Sequence, residues 1–153
     1  MNMMSTLAAA GMVLALTLPA PAQDLLTGAD DATILAIAKT IGTAALTTQS
    51  NGDPLINGSI DGVGYQIYFR NCTAGAACED LNFYAGFSTS PTLDKINEWN
   101  RDKRFSRAYL DDAGDAAVEM DLDLVQGVTS GYLTSQFALW PQIVSQFRTH
   151  IGY

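Results

Sequence analysis

Histidine occurs once in this 153-residue sequence, cysteine twice, and lysine plus arginine only eight times. Each scarcity removes a class of function. His150 is the sole histidine, and near the end of a helix such a residue serves as an electrostatic cap. No Gly-x-Ser-x-Gly elbow exists, so a Ser–His–Asp constellation would rest on His150 alone. Five residues separate Cys72 from Cys78, which does not match the Cys-x-x-Cys spacing of thioredoxin-like redox sites. Two thiolates without a nearby histidine or third cysteine cannot complete a tetrahedral zinc site. Gly62-Val63-Gly64 lacks the third glycine of a nucleotide loop and leads into a strand. The expectation is therefore no metal, no cofactor and no catalytic residue. A carboxylate-pair hydrolase leaves no spacing to recognise and stays open as the alternative.

Positive charge is short in a second sense. Sixteen acidic residues against eight basic ones give a net charge of −8. Nucleic acid and anionic lipid surfaces both demand clustered lysine and arginine, so neither is expected as a partner. An acid excess also keeps a protein soluble.

Charge is wholly missing from Met1 to Ala22. Within that stretch, Leu7 to Leu18 is apolar over about 12 residues, short of the ~20 a membrane span needs. Ala20-Pro21-Ala22 then supplies the small residues that a signal peptidase requires. Residues 1–22 are read as a signal peptide cleaved after Ala22, although Met1-Asn2-Met3-Met4 offers only the amino terminus as positive charge. The alternative is a retained N-terminal anchor. No cysteine follows the apolar run, which excludes a lipoprotein anchor. The mature chain, residues 23–153, is expected in the periplasm of a Gram-negative envelope or outside the cell, with no further membrane span. In such an oxidising compartment two neighbouring cysteines pair. A Cys72–Cys78 bridge over so short a loop contributes about 2 kcal/mol on the loop-entropy model.

What remains is one α+β domain. Ile34, Ile37, Ala38 and Ile41 have helical spacing behind Asp30-Asp31, which cap the N-terminus, with Gly42 at the other end. Ala44 to Gln49 and Leu55 to Ile60 are strands, and Asp61-Gly62 is a hairpin turn. Tyr65, Ile67 and Phe69 alternate with Gln66, Tyr68 and Arg70. Leu81, Phe83, Ala85 and Phe87 alternate with Asp80, Asn82, Tyr84 and Gly86. That period of two marks a sheet with one buried face. Ser90-Pro91 opens a helix carrying Leu93, Ile96 and Trp99 inward. Phe105 to Leu110 returns to strand. Asp111-Asp112-Ala113-Gly114-Asp115 turns, with Gly114 at positive φ, in a register that sets Arg107 opposite Glu119. The last helix starts near Thr129 or Ser130. Leu133, Phe137, Trp140, Val144, Phe147 and Ile151 form its apolar stripe, and Pro141 is expected to bend it. The overall order is α-β-β-β-α-β-β-α, an antiparallel sheet of about five strands with helices packed on it. Trp99, Phe105, Phe137 and Trp140 are the expected aromatic core.

Few candidate sites survive comparison with simpler roles. Asp111, Asp112 and Asp115 lack the alternate spacing of a calcium loop, and Glu119, Asp121 and Asp123 fit the solvated face of a strand. Arg101, Lys103, Arg104 and Arg107 are the one basic concentration. Arginine forks suit carboxylates, so Arg101 and Arg104 are candidates for an acidic peptide; the simpler role is neutralising the acidic strand across the hairpin. Tyr68 and Tyr84 share the sheet face opposite the core, either as part of a binding platform or as a cross-strand structural pair.

The run Ile96-Asn97-Glu98-Trp99-Asn100-Arg101-Asp102-Lys103-Arg104-Phe105-Ser106-Arg107-Ala108-Tyr109-Leu110 resembles the YbjN family. Asp112-Ala113-Gly114-Asp115, Glu119-Met120-Asp121-Leu122-Asp123-Leu124 and Ile60-Asp61-Gly62 before an aromatic strand continue the likeness, which covers nearly all of the mature chain. The resemblance implies a fold similar to type III secretion chaperones and a role like that of family members described as sensory transduction regulators. It supplies no catalytic residue to carry over. The export signal and the cysteine pair depart from cytosolic members. The expected function is a non-enzymatic periplasmic module that binds an unknown protein or peptide through a sheet edge or helix face. A homodimeric envelope protein, joined through the aromatic stripe of the last helix, is the further alternative.

Overall fold

The computed structural model describes residues 25–153; the expected signal peptide and its cleavage site lie outside the described residues. The elements are β1 (Leu25–Leu26), α1 (Asp31–Ala38), β2 (Thr43–Thr48), β3 (Pro54–Ile60), β4 (Val63–Arg70), β5 (Asp80–Phe87), α2 (Leu93–Asp102), β6 (Arg107–Leu110), β7 (Ala116–Asp123), β8 (Val128–Thr129) and α3 (Ser130–Ile151). The fold is α+β. Six strands form one antiparallel sheet in the order β2-β3-β4-β5-β7-β6, and β1 pairs with β8 in a separate two-stranded sheet. Four strands, not three, stand between α1 and α2. The extra pair β1–β8 is too short to display any alternation, which is why periodicity missed it.

Turn chemistry sets the registers. Asp61 (φ 49°) and Gly62 (φ 81°) both take left-handed backbone, the requirement of a two-residue hairpin whose twist matches its strands. Ile60 thereby faces Val63. Gly114 has φ 81°, and the Asp111 N–H donates to the Asp115 carbonyl at 2.8 Å, closing a three-residue loop that sets Arg107 opposite Glu119. Asp111 Oδ1 accepts from the Ala113 and Asp115 N–H groups at 2.9 Å each, so its carboxylate is committed to the turn.

The core lies between the sheet and the helices. Ile56, Ile67, Phe69, Leu81, Phe83 and Val118 are fully buried on the sheet side. From α3, Phe137 and Trp140 meet Phe83 at centroid distances of 4.9 and 5.6 Å, and Phe147 meets Trp99 of α2 at 4.9 Å. The stripe Leu133, Phe137, Trp140, Val144 and Phe147 is therefore spent inside this domain, which removes the motive for a dimer joined through it. Helix α3 continues through Pro141. Its last turn is tied to α2 by His150, whose Nε2–H donates to the Lys95 carbonyl at 2.8 Å. Gly152, in left-handed backbone, ends the helix.

Several local expectations need correction. Phe105 is not core: it is 65% exposed. Helix α2 stops at Asp102 and β6 begins only at Arg107; alternation back from inward Ala108 puts Phe105 on the outer side with Arg107, and its backbone is left-handed, with φ of 66°. Ser106 takes the inward position, accepting a hydrogen bond from Trp99 Nε1 at 3.2 Å. Leu93, the first residue of α2, is also 65% exposed, and Thr92 rather than Ser90 caps that helix. At α1, the Asp30 carboxylate accepts from Thr27 instead of capping the helix. Gly42 belongs to the entry of β2, where a Cβ would lie 2.2 Å from the Ser59 carbonyl.

Cys72 and Cys78 are bonded across the β4–β5 turn. The loop they close supports the N-terminal segment: a Cβ on Gly28 would lie 2.2 Å from the Cys78 carbonyl oxygen. That contact docks the two-stranded β1–β8 sheet beside the bridge. No helix among the described residues is long and apolar enough to cross a membrane.

Candidate functional site

Strand alternation divides the six-stranded sheet into two chemically different faces. The helices cover the apolar one. The opposite face carries Asn57 on β3, Gln66 and Tyr68 on β4, Asn82 and Tyr84 on β5, Glu119 and Asp121 on β7, and Tyr109 on β6. Its side chains are joined across strands. Tyr68 Oη donates to Gln66 Oε1 at 2.6 Å, Gln66 Nε2 to Asn57 Oδ1 at 3.2 Å, and Asn57 Nδ2 to Thr47 Oγ1 at 2.8 Å. Asn82 Nδ2 donates to Asp121 Oδ1 at 2.8 Å. Tyr68 and Tyr84 stack edge to face at 6.3 Å, which makes them a cross-strand pair. Arg70 lies over the Tyr68 ring at 4.6 Å.

Glu119 departs from expectation. Its side chain is largely buried because β6 lays two partners over it. Arg107 donates to Glu119 Oε2 from Nε at 2.9 Å and also from Nη2, and Tyr109 Oη donates to Oε1 at 2.9 Å. Burying a carboxylate is tolerated only when its lone pairs are filled in this way. Loss of hydration pushes the Tyr109 phenol well above its ordinary range, and its hydrogen bond to Glu119 adds to the rise. The Tyr84 phenol is also raised, by burial first and then by Asp111. The bond to Glu119 holds the Arg107 guanidinium above its ordinary value. Arg107 thus neutralises the acidic strand, as the register implies.

The other two candidate arginines stand apart from this face. Arg101 is on α2, where its Nε reaches Asp102 at 3.2 Å with both side chains exposed. Arg104 follows the helix and places its guanidinium over the Phe105 ring at 5.2 Å. Lys103 lies over Trp99 at 5.7 Å and donates to Gln146 at 2.9 Å. The expected surface therefore separates into two: a tyrosine–amide face on β4 and β5, and a cationic segment led by Phe105. The second was legible in the alternation, since Phe105 shares the parity of Arg107 while Ser106 and Ala108 face inward.

The sheet edges also differ. On β6, the Asn100 side chain accepts from the Ala108 N–H at 2.8 Å and donates to the Ala108 carbonyl at 3.0 Å. One amide thus fills the donor and acceptor that an added strand would use. The β6 edge is plugged at Ala108, whereas β2 presents uncharged Thr43 to Thr48 with nothing beyond it in the sheet.

No curated protein matches this chain. A family model described as "YbjN: Putative bacterial sensory transduction regulator" matches residues 30–152, taking in every element from α1 to α3 and both surfaces above. The chain belongs to the YbjN family.

Proposed function

We propose that this chain is a non-enzymatic binding module that works outside the cytoplasm and engages an acidic segment of a protein through Lys103, Arg104 and Phe105. One observation carries the reading: Phe105 is 65% exposed and sits in left-handed backbone. A bulky residue in that region costs free energy, on the order of 1–3 kcal/mol, and such strain concentrates at functional sites. The neighbouring charge supports the partner's chemistry. Four of the eight basic residues, Arg101, Lys103, Arg104 and Arg107, fall within seven positions of a chain whose net charge is −8. Arg107 is engaged with Glu119, whereas the Arg104 guanidinium lies over the Phe105 ring. An arginine beside an exposed ring offers a carboxylate fork and an apolar anchor together. Export is supported by the uncharged, apolar Met1–Ala22 segment and by the bonded cysteine pair. The family's description as a regulator suits a module that works by contact.

The test is crosslinking capture with the mature, oxidised, tagged protein in its own envelope, compared with an Arg104→Glu/Phe105→Ser double variant. The reading requires a reproducible protein adduct that weakens with salt and is lost in the variant. An adduct that the variant retains in full places the contact elsewhere and overturns it.

A further inference from the structure

We infer that the uncovered sheet face holds a small-molecule site for an uncharged, hydroxylated ring, of which a sugar is the natural representative. The site is a depression of about 350 Å³ bounded by Asn57, Gly64, Gln66, Tyr84 and Gly86. That volume is at the lower end of small-molecule sites, roughly 300–1,000 Å³. The concavity comes from missing side chains. Gln66 pairs with Tyr84 across β4 and β5, and continuing that register sets Gly64 opposite Gly86. A Cβ on Gly64 would meet nothing within 4 Å, so the space above it is open. A Cβ on Gly86 would lie 2.7 Å from the Tyr84 hydroxyl, so the absent side chain there lets the Tyr84 ring lie along its own strand as a wall.

The lining selects the chemistry. In a chain of twenty-four charged residues, none of the described residues that line the depression is charged. The amides are oriented: Gln66 uses one N–H on Asn57, and Asn57 uses one N–H on Thr47. Each amide nitrogen carries two donors, which leaves one N–H on each without a partner among the described residues. The Tyr84 hydroxyl adds a donor and acceptor beside an aromatic face. Fixed amides next to a ring suit vicinal hydroxyls on an apolar-faced ligand. An anion is disfavoured, because Asp111, Glu119 and Asp115 already act on the Tyr84 phenol. A cation would find no carboxylate in the lining to pair with.

The experiment is amide-resolved NMR titration of the oxidised protein with glucose, N-acetylglucosamine, cellobiose and, as a cationic probe, choline. Saturable shifts centred on Asn57, Gly64, Gln66, Tyr84 and Gly86 with at least one sugar are expected. Gly64→Leu should fill the depression without disturbing the fold, since its Cβ direction is open, and should weaken binding at least tenfold, about 1.4 kcal/mol. Tyr84→Ala removes the wall and should weaken binding independently. The inference is overturned if no sugar saturates at concentrations far above a millimolar Kd. It is equally overturned if choline alone binds, or if both variants bind sugar as well as the parent chain does.

Discussion

Exchanging each tryptophan for phenylalanine should give unequal losses, although Trp99 and Trp140 are both almost wholly buried. The exchange deletes three ring atoms, and the lost burial costs roughly 2 kcal/mol in either place. The indole nitrogens then decide the outcome. Trp99 Nε1 donates to Ser106 Oγ at 3.2 Å, so Trp99→Phe also loses a hydrogen bond worth about 1 kcal/mol. Trp140 Nε1 is buried with no hydrogen-bond partner among the described residues. Removing it relieves a desolvation penalty of about 1–3 kcal/mol, which offsets most of the lost burial. Trp99→Phe should therefore destabilise by about 3 kcal/mol and Trp140→Phe by about 1 kcal/mol or less. Urea unfolding of the oxidised protein, with unchanged m-values, reads this directly. Equal losses at the two positions, or a larger loss at Trp140, would refute the reasoning. The alanine variants provide the scale, since each should cost about 3–5 kcal/mol.

Three other expectations concern different parts of the molecule. Reducing the Cys72–Cys78 bond should lower stability by about 2 kcal/mol, read as a lower urea midpoint with reductant; amide exchange should rise first in the β1 segment, where Gly28 rests on Cys78. An unchanged midpoint and exchange pattern would show that the bridge carries no structural role. Asn100→Ala unplugs the β6 edge and leaves Ala108 unpaired, which should cost about 1–3 kcal/mol and raise concentration-dependent aggregation; a soluble variant of parental stability contradicts this. Among the six tyrosines, Tyr65, Tyr84 and Tyr109 have phenols raised above 10.0. A raised folded pKa means that the native state holds its protons longer than the unfolded chain. That stabilisation is complete below pH 10 and is lost as pH rises through the folded values. Absorbance titration should show these three ionising late, with unfolding midpoints falling above pH 10; a single ordinary transition for all six would be inconsistent with the burial described.

Much of the fold was legible because local signals and the global fold agree. Asp61-Gly62 determines a two-residue hairpin by backbone sterics alone. The alternation in β4 and β5 separates Tyr68 and Tyr84 from the core, and the 4-3-4-3 spacing of α3 marks the ring stripe that meets Phe83. Failures occurred where apolar character was set above register. Phe105 is apolar, but it shares the parity of Arg107, on the face opposite inward Ala108. Glu119 looks like a solvated strand residue because nothing in its own strand announces that Arg107 and Tyr109 will cover it. The Asn100 plug was invisible for the same reason: an asparagine on a helix carries no local sign that a strand edge lies beside it. Neither Gly64 nor Gly86 has a sequence signal for a depression, since a concavity depends on what the adjacent strand lacks.

The measurement closest to the central claim is position-specific crosslinking within the envelope, with a photoreactive residue placed at Phe105 in one strain and at Leu46 on the β2 edge in another. The account predicts a discrete adduct with a protein at position 105, weakened by salt and by Arg104→Glu, and little at position 46. A strong adduct at position 46 with none at 105 would contradict it, moving recognition from the cationic segment to the free sheet edge.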